Sequence, residues 1–145
     1  MTTTRLLSDL DLLRSRDFPA GPERAGHLDS GPGFHVLALA TSEDFWEDGG
    51  SRREVVEEQY EAERDGLAAV LAARWGAPDR MSLWSLHHRS MEGERLPEPW
   101  SVLCAHVPDL TLWRVDDRWI GLGVSQWDDE LPFQLLAVVT DVDPP

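Results

Sequence analysis

Several residue types that carry common chemistry are missing from this chain or nearly so. Lysine and asparagine are absent, and Cys104 is the only cysteine in 145 residues. Without lysine there is neither a Schiff-base nucleophile nor the lysine of a phosphate-binding P-loop, and without asparagine there is no N-glycosylation site. One cysteine cannot form an internal disulfide, and a free thiol is typical of a reducing compartment. All 13 basic residues are arginines, a bias typical of GC-rich codons, so we expect a high-GC bacterial source.

Long hydrophobic runs are also missing. No apolar stretch approaches the roughly 18 residues that a membrane span needs. The first 17 residues have acids within their apolar part and no small-residue cleavage pattern, which is not typical of a signal peptide. We therefore expect a cytoplasmic protein with no membrane partner. The length and the apolar content of 41% predict one domain, 1–145, in which 1–33 form an N-terminal arm and loop and 34–145 form the body.

Negative charge is in large excess. The net charge of −14 argues against nucleic acid as a partner and favours a basic protein. Residues 43–65 hold ten acids and only three arginines, which a solvated helix face would partly explain. Like-charge pairs at i,i+3 or i,i+4 spacing each cost about 0.2–0.5 kcal/mol, so a face tuned only for stability would more often alternate signs. Such pairs occur here among Glu54, Glu57, Glu58 and Glu61.

The clearest element is one long helix over 51–76. Ser51 is the expected N-cap, with Glu54 completing a capping box, and Gly76 followed by a proline marks the end. Apolar residues recur at helical spacing along one side, with Val70 beside them: Val56, Tyr60, Leu67, Leu71 and Trp75. Gly66, inside this helix, predicts either close contact with the sheet or a kink.

The remaining pattern predicts an α+β fold, an antiparallel sheet of about five strands with one long helix packed on one face. The expected strands are 34–40, 81–87, 110–115, 118–125 and 133–139. The segment 17–33 has too many prolines and glycines for a regular element and is expected to be a loop. A short helix over 4–16 and a helical turn after Pro99 complete the prediction. Four tryptophans are assigned to the core, namely Trp75, Trp84, Trp113 and Trp119.

Two of these strands predict a hairpin with a two-residue turn at Asp116–Asp117. Its register would pair Val115 with Arg118 and Trp113 with Ile120. Both faces of the hairpin are then apolar, so each must be covered. The long helix would cover one face and the N-terminal arm the other, or a second subunit would cover it and form a homo-oligomer.

Candidates for metal binding and catalysis are few. His87, His88, Cys104 and His106 are the potential zinc ligands, but no ligand-spacing motif frames them. A nucleophilic pair of Cys104 and His106 has no third orienting group or oxyanion hole in the pattern. The acid clusters, among them Asp128–Asp129, fall in turns where aspartate is favoured anyway. We therefore predict no catalytic residue, no metal and no cofactor.

Two tryptophans, Trp46 and Trp127, are expected in loops among acids, where each would either fold back onto the domain or form an interaction hot spot.

In size and charge alone the chain resembles the small acidic immunity proteins that neutralise bacterial toxins. The leading hypothesis is a non-enzymatic protein-binding module, immunity-like, inhibitor or adaptor, that engages a basic partner. Its predicted face is Trp46, Glu54, Glu57, Glu58, Glu61, Trp127, Asp128 and Asp129. The alternatives are a subunit of a larger assembly, or a small-ligand or catalytic domain with a pocket near His87, His88 and His106.

Overall fold

The computed structural model describes residues 3–45, 51–128 and 130–145, and within them the fold is α+β. Seven antiparallel strands form one sheet in the order β1-β2-β3-β7-β6-β5-β4. No helix in these ranges has both the length and the apolar character for crossing a bilayer. The elements are α1 Thr3–Ser15, β1 Glu23–Ala25, β2 Leu28–Gly31, β3 Phe34–Thr41, α2 Arg53–Trp75, β4 Asp79–Ser82, α3 Trp84–Met91, α4 Trp100–Leu103, β5 Asp109–Val115, β6 Arg118–Ser125 and β7 Gln134–Thr140.

The predicted hairpin is confirmed in β5 and β6, including its register. Val115 pairs with Arg118 and Trp113 with Ile120. The turn residues Asp116 and Asp117 have φ angles of 51° and 64°. Two consecutive positive φ values are the geometry of a type I′ turn, whose twist matches that of the strands it joins.

Each face of the sheet is covered by helices. On the first face, α1 and α2 pack over side chains of the central strands, including Trp113, Ile120, Leu122, Leu135 and Val139. On the second face, the segment that holds α3 and α4 packs over Leu110, Leu112, Leu136 and Val138. The expectation that the N-terminal arm covers the second face is therefore wrong, because α1 lies beside α2. The chain itself supplies the second cover, from residues 83–107.

Helix α2 is present, but its predicted start is wrong. It begins at Arg53, and Arg52, not Ser51, is the capping residue, with no side-chain hydrogen bond. Arg52 already has near-helical angles and ion-pairs with Glu43 at 3.0 Å. The predicted end is confirmed, since the Gly76 N–H donates to the Ala72 carbonyl at 2.9 Å. The apolar stripe is buried as predicted, except that Trp75 is only half-buried and Val70 is exposed.

The predicted strand 81–87 is wrong beyond Ser82, where β4 ends and α3 begins two residues later. The Ser82 hydroxyl accepts a hydrogen bond from the Trp84 N–H at 3.3 Å, which favours a turn over a continuing strand. Leu83 and Leu86, three residues apart, are both buried on one side of the resulting helix. Trp84 consequently faces outward and is 70% exposed, so its assignment to the core is also wrong.

The segment 17–33, expected to be irregular, contributes two strands. Strands β1 and β2 form a hairpin in which Ala25 pairs with Leu28. Gly26 takes the first position of the two-residue turn with a φ of 59°, a position that favours glycine in hairpin turns. Gly26 is one of the glycines that led us to expect a loop here, and it is the residue that allows the tight turn. The two strands of this hairpin are the difference between the seven strands observed and the five expected.

Two glycine substitutions test this packing in opposite directions. A Cβ at Gly66 would meet no atom within 4 Å, so no close contact with the sheet requires this glycine. A Cβ at Gly123 would lie 2.8 Å from both Leu110 Cδ2 and Val107 Cγ1. We expect Gly66→Ala to raise the free energy of unfolding by roughly 0.5–1 kcal/mol, and Gly123→Ala to lower it by about 1–3 kcal/mol through overpacking. Urea denaturation of both variants measures this. A Gly123→Ala variant that is not destabilised would contradict the described second face, and a destabilised Gly66→Ala variant would contradict the open surroundings of Gly66.

Candidate functional site

An aromatic stack joins the segment after α4 to the end of β6. The rings of His106 and Trp127 lie 3.8 Å apart at 16°, nearly parallel. The backbone holds them together, because the Gln126 N–H donates to the His106 carbonyl at 3.0 Å. One face of the Trp127 ring is therefore covered by the chain itself, yet the residue remains 56% exposed. Folding back, one of the two predicted alternatives, therefore applies to one ring face, and the alternative of an interaction hot spot stays a prediction.

Two cavities lie against this stack, and His106 and Trp127 line both of them. One cavity, of about 500 Å³, lies between α4 and the second face of β2, β3 and β7, and we call it the α4 cavity. The other, of about 340 Å³, lies between α2 and the loop that follows β6, and we call it the α2 cavity. The stacked rings thus form a common wall.

The α2 cavity is rich in charged groups. Arg64, whose side chain is almost fully buried, ion-pairs with Asp65 at 3.1 Å and with Asp109 at 3.5 Å. The Arg53 guanidinium donates two hydrogen bonds to the Gln126 side-chain oxygen, at 2.8 and 3.1 Å, and ion-pairs with Glu57 at 3.4 Å. The contacts of Arg53 tie the start of α2 to the loop that carries Trp127, and so set the width of the cavity.

Four of the eight predicted partner-face residues line this single cavity. They are Glu57, Glu61, Trp127 and Asp128. Two others, Glu54 and Glu58, lie exposed on α2 outside the cavity, and within the described ranges neither has an ion pair. The remaining two, Trp46 and Asp129, lie outside the described residues.

The three histidines of the alternative pocket do not form one site. His87 and His88 are on α3 and line none of the described cavities, whereas His106 lines both. His88 faces Glu92 at 3.3 Å, and the ring of His87 lies 5.9 Å from that of Trp84. Across the described part of the chain, no group of three or more histidine, cysteine or acidic side chains is arranged to hold a metal ion.

A nucleophile–base pair of Cys104 and His106, which the sequence pattern did not favour, is not formed. The Cys104 thiol donates to the Ser101 carbonyl at 3.3 Å, and the ring of His106 is stacked on Trp127. Burial raises the pKa of the Cys104 thiol. A thiol with a raised pKa is the weaker nucleophile at neutral pH, since the thiolate is the reactive form.

The sequence did not predict the buried polar pair of His35 and Ser30. The Nδ1 atom of His35 lies 2.6 Å from the Ser30 hydroxyl, and its Nε2 atom lies 3.2 Å from the Arg16 carbonyl oxygen. His35 is fully buried, its ring lies 4.9 Å from that of Phe18, and burial lowers its pKa. We interpret the pair as structural, because it attaches the end of α1 to the sheet and neither ring nitrogen remains available. Little in the sequence indicated this pair, since Ser30 lies in the segment 17–33, which was expected to be a loop.

His106 combines burial with an unmet hydrogen-bonding capacity. Burial lowers the pKa of His106 to about 4, so the ring is neutral at pH 7. Its Nδ1 atom is buried and has no hydrogen-bond partner among the described residues. A buried ring nitrogen without a partner is uncommon in proteins and costs stability.

Three comparisons with known proteins identify no relative. No protein-family model matches the chain, and neither a curated protein nor a solved structure matches it. Function is therefore inferred from the contacts, burial and charges of the chain itself.

The lowered pKa of His106 predicts a pH dependence of stability. The unfolded chain binds this proton near pH 6.5, whereas the folded chain binds it only near pH 4. Between these values the unfolded state holds more protons, so the free energy of unfolding falls as the pH falls. One such proton contributes at most about 1.4 kcal/mol per pH unit.

We expect His106→Phe, which keeps an aromatic ring against Trp127 and cannot titrate, to reduce this slope. Urea denaturation at pH 7, 6 and 5 measures it, above the range in which most carboxylates titrate. His35 also has a lowered pKa and contributes in the same direction, so part of the slope remains in the variant. An unchanged slope in His106→Phe would show that the ring is not buried as described.

Proposed function

We propose that the protein is a non-enzymatic, acidic protein-binding module of the immunity, inhibitor or adaptor kind, which engages a basic protein partner. The observation that carries the proposal is the convergence of Glu57 and Glu61 with Trp127 and Asp128 on the α2 cavity. These pairs are about 70 positions apart in the sequence. An aromatic residue bordered by carboxylates is a suitable anchor for a cationic surface.

The exposed glutamates of α2 add to this surface. Glu54 and Glu58 are one helical turn apart, and in the described part of the chain no arginine neutralises either of them. Glu61 likewise has no ion pair there. Val55, which is 57% exposed beside Glu54, adds apolar area that a partner would cover. The energetic cost of adjacent like charges is compensated when a cationic partner binds.

The members of the face are not equivalent. Glu57 is already ion-paired with Arg53, so the partner would gain less from it. The buried Arg64 places a fixed positive charge at the inner side of the cavity, next to Asp109. A partner's cations therefore fit best over the outer row, which consists of Glu54, Glu58 and Glu61.

Reversing one charge of the outer row separates binding from folding. In Glu58→Arg, the like-charge pairs with Glu54 and Glu61 become favourable pairs at i,i+4 and i,i+3 spacing, so helix stability does not fall. We expect the dissociation constant of the captured basic partner to rise about tenfold, which is a loss of about 1.4 kcal/mol. We also expect that binding by the natural chain weakens as salt is raised, because exposed charges are screened.

The matched control is Glu92→Arg, an exposed residue just after α3, which changes the net charge equally but belongs to the segment that covers the second face, away from α2. Affinity capture from an extract of the native host, followed by titration of the retained protein, compares the three chains. If both variants lose the partner equally, only net charge matters and the proposed face is wrong. If neither loses it, the α2 face does not contact the partner.

A further inference from the structure

Apart from Trp127, none of the described residues of the proposed protein-binding face lines the α4 cavity, and the floor of this cavity is apolar. The floor consists of side chains from β3 and β7, namely Phe34, Val36, Ala38 and Leu136. The opposite wall is Pro99, Val102 and Leu103, at the start and within α4. A volume of about 500 Å³ lies within the range of about 300–1,000 Å³ that is typical of small-molecule sites.

The cavity exists because the second face is covered unevenly. Helix α4 has only four residues, and with α3 it packs mainly over β5 and the inner part of β7. The sheet extends beyond this cover to β3, β2 and β1. Val36 and Ala38 on β3 are consequently only partly buried, whereas Leu136 and Val138 on β7 are buried. The apolar floor is thus continuous with the core and open on one side.

The mouth of the cavity is negatively charged. Glu23 from β1 and Glu98 from the segment before α4 both line it, are exposed, and have no ion pair within the described ranges. The arginine at the mouth, Arg24, ion-pairs with Asp29 at 3.2 Å, so the carboxylate of Asp29 offsets its charge and the mouth keeps an excess of negative charge. Two carboxylates without partners above an apolar floor are complementary to a cation that carries an apolar body.

The aromatic wall suits the same ligand. Trp127 lines the cavity with a ring that is largely exposed, and cations are attracted to the face of an indole. Behind it, His106 is neutral at pH 7 and so does not repel a positive charge. The side chain of Gln134, also at this cavity, offers a neutral hydrogen-bonding group.

We propose that the α4 cavity binds a small organic cation, a primary amine on a flat apolar body. The apolar body lies on the floor formed by β3 and β7, and the ammonium group lies at the mouth between Glu23 and Glu98. This site shares Trp127 with the α2 face, but its apolar floor and both carboxylates lie outside that face, so amine binding does not require the proposed protein partner.

Isothermal titration of the full chain with 2-phenylethylamine tests the proposal. We expect saturable binding of one amine per chain. The negative comparison is 3-phenylpropionate, which has a similar shape and the opposite charge, and it should not bind in the same concentration range. In Glu23→Gln/Glu98→Gln the dissociation constant for the amine should rise about tenfold, because the two carboxylates at the mouth are replaced by neutral groups of similar size.

A second variant tests the location. Val102 is 45% exposed and lines the cavity, so Val102→Trp fills the space without disturbing the core. We expect this variant to lose amine binding, whereas Val55→Trp on α2, an equal change at an exposed site outside the cavity, should keep it. Equal affinity for amine and acid, no saturable binding, or undiminished binding by Val102→Trp would each overturn the proposal. So would an amine signal that Glu58→Arg abolishes, since the cation would then bind the α2 face.

Discussion

The rest of the structure depends on burying both faces of three strands that lie side by side in the sheet, β7, β6 and β5. Strands β5, β6 and β7 carry apolar residues in alternation toward each side, and nearly every residue of β6 and β7 is buried. On the second face, Gly121 and Gly123 leave no room for larger side chains, so the covering segment packs close to the backbone of β6. Trp100 fills this layer, fully buried, and its indole N–H donates to the Val142 carbonyl at 3.0 Å.

The two cavities lie where these covering layers end. Helix α2 extends past the sheet toward the loop after β6, and the gap between them is the α2 cavity. Helix α4 stops after four residues, and the uncovered part of the sheet beyond it is the floor of the α4 cavity. Because each face of the sheet must be covered, both candidate sites lie where a covering layer ends. The α2 cavity is charged, and the α4 cavity is apolar with carboxylates at its mouth.

Much of the fold could be predicted from the sequence because its signals are local. The turn at Asp116–Asp117 fixes the register of β5 and β6, and the spacing of leucines fixes the buried side of α2. The β1–β2 hairpin and α3 could not be predicted in this way. Gly26 and Ser82 each permit two local structures, and pairing or packing with distant residues decides between them.

In the candidate site, too, local features could be predicted from the sequence and contacts between distant residues could not. The exposure of Glu54 and Glu58 was predicted from their polar, acidic surroundings, whereas the sequence left open whether Trp127 is exposed or folded back. The sequence did not predict that these residues lie close together, because their proximity depends on the hydrogen bonds between Arg53 and Gln126, which are 73 positions apart. The stack of His106 on Trp127 could not be predicted from the sequence either, since it depends on the backbone hydrogen bond from Gln126 to His106. That stack also separates the two cavities, one lined by charges of both signs and one with an apolar floor. An occupant of one cavity that turned the indole would change the shape of the other, and by reciprocity the two occupants would then alter each other's affinity.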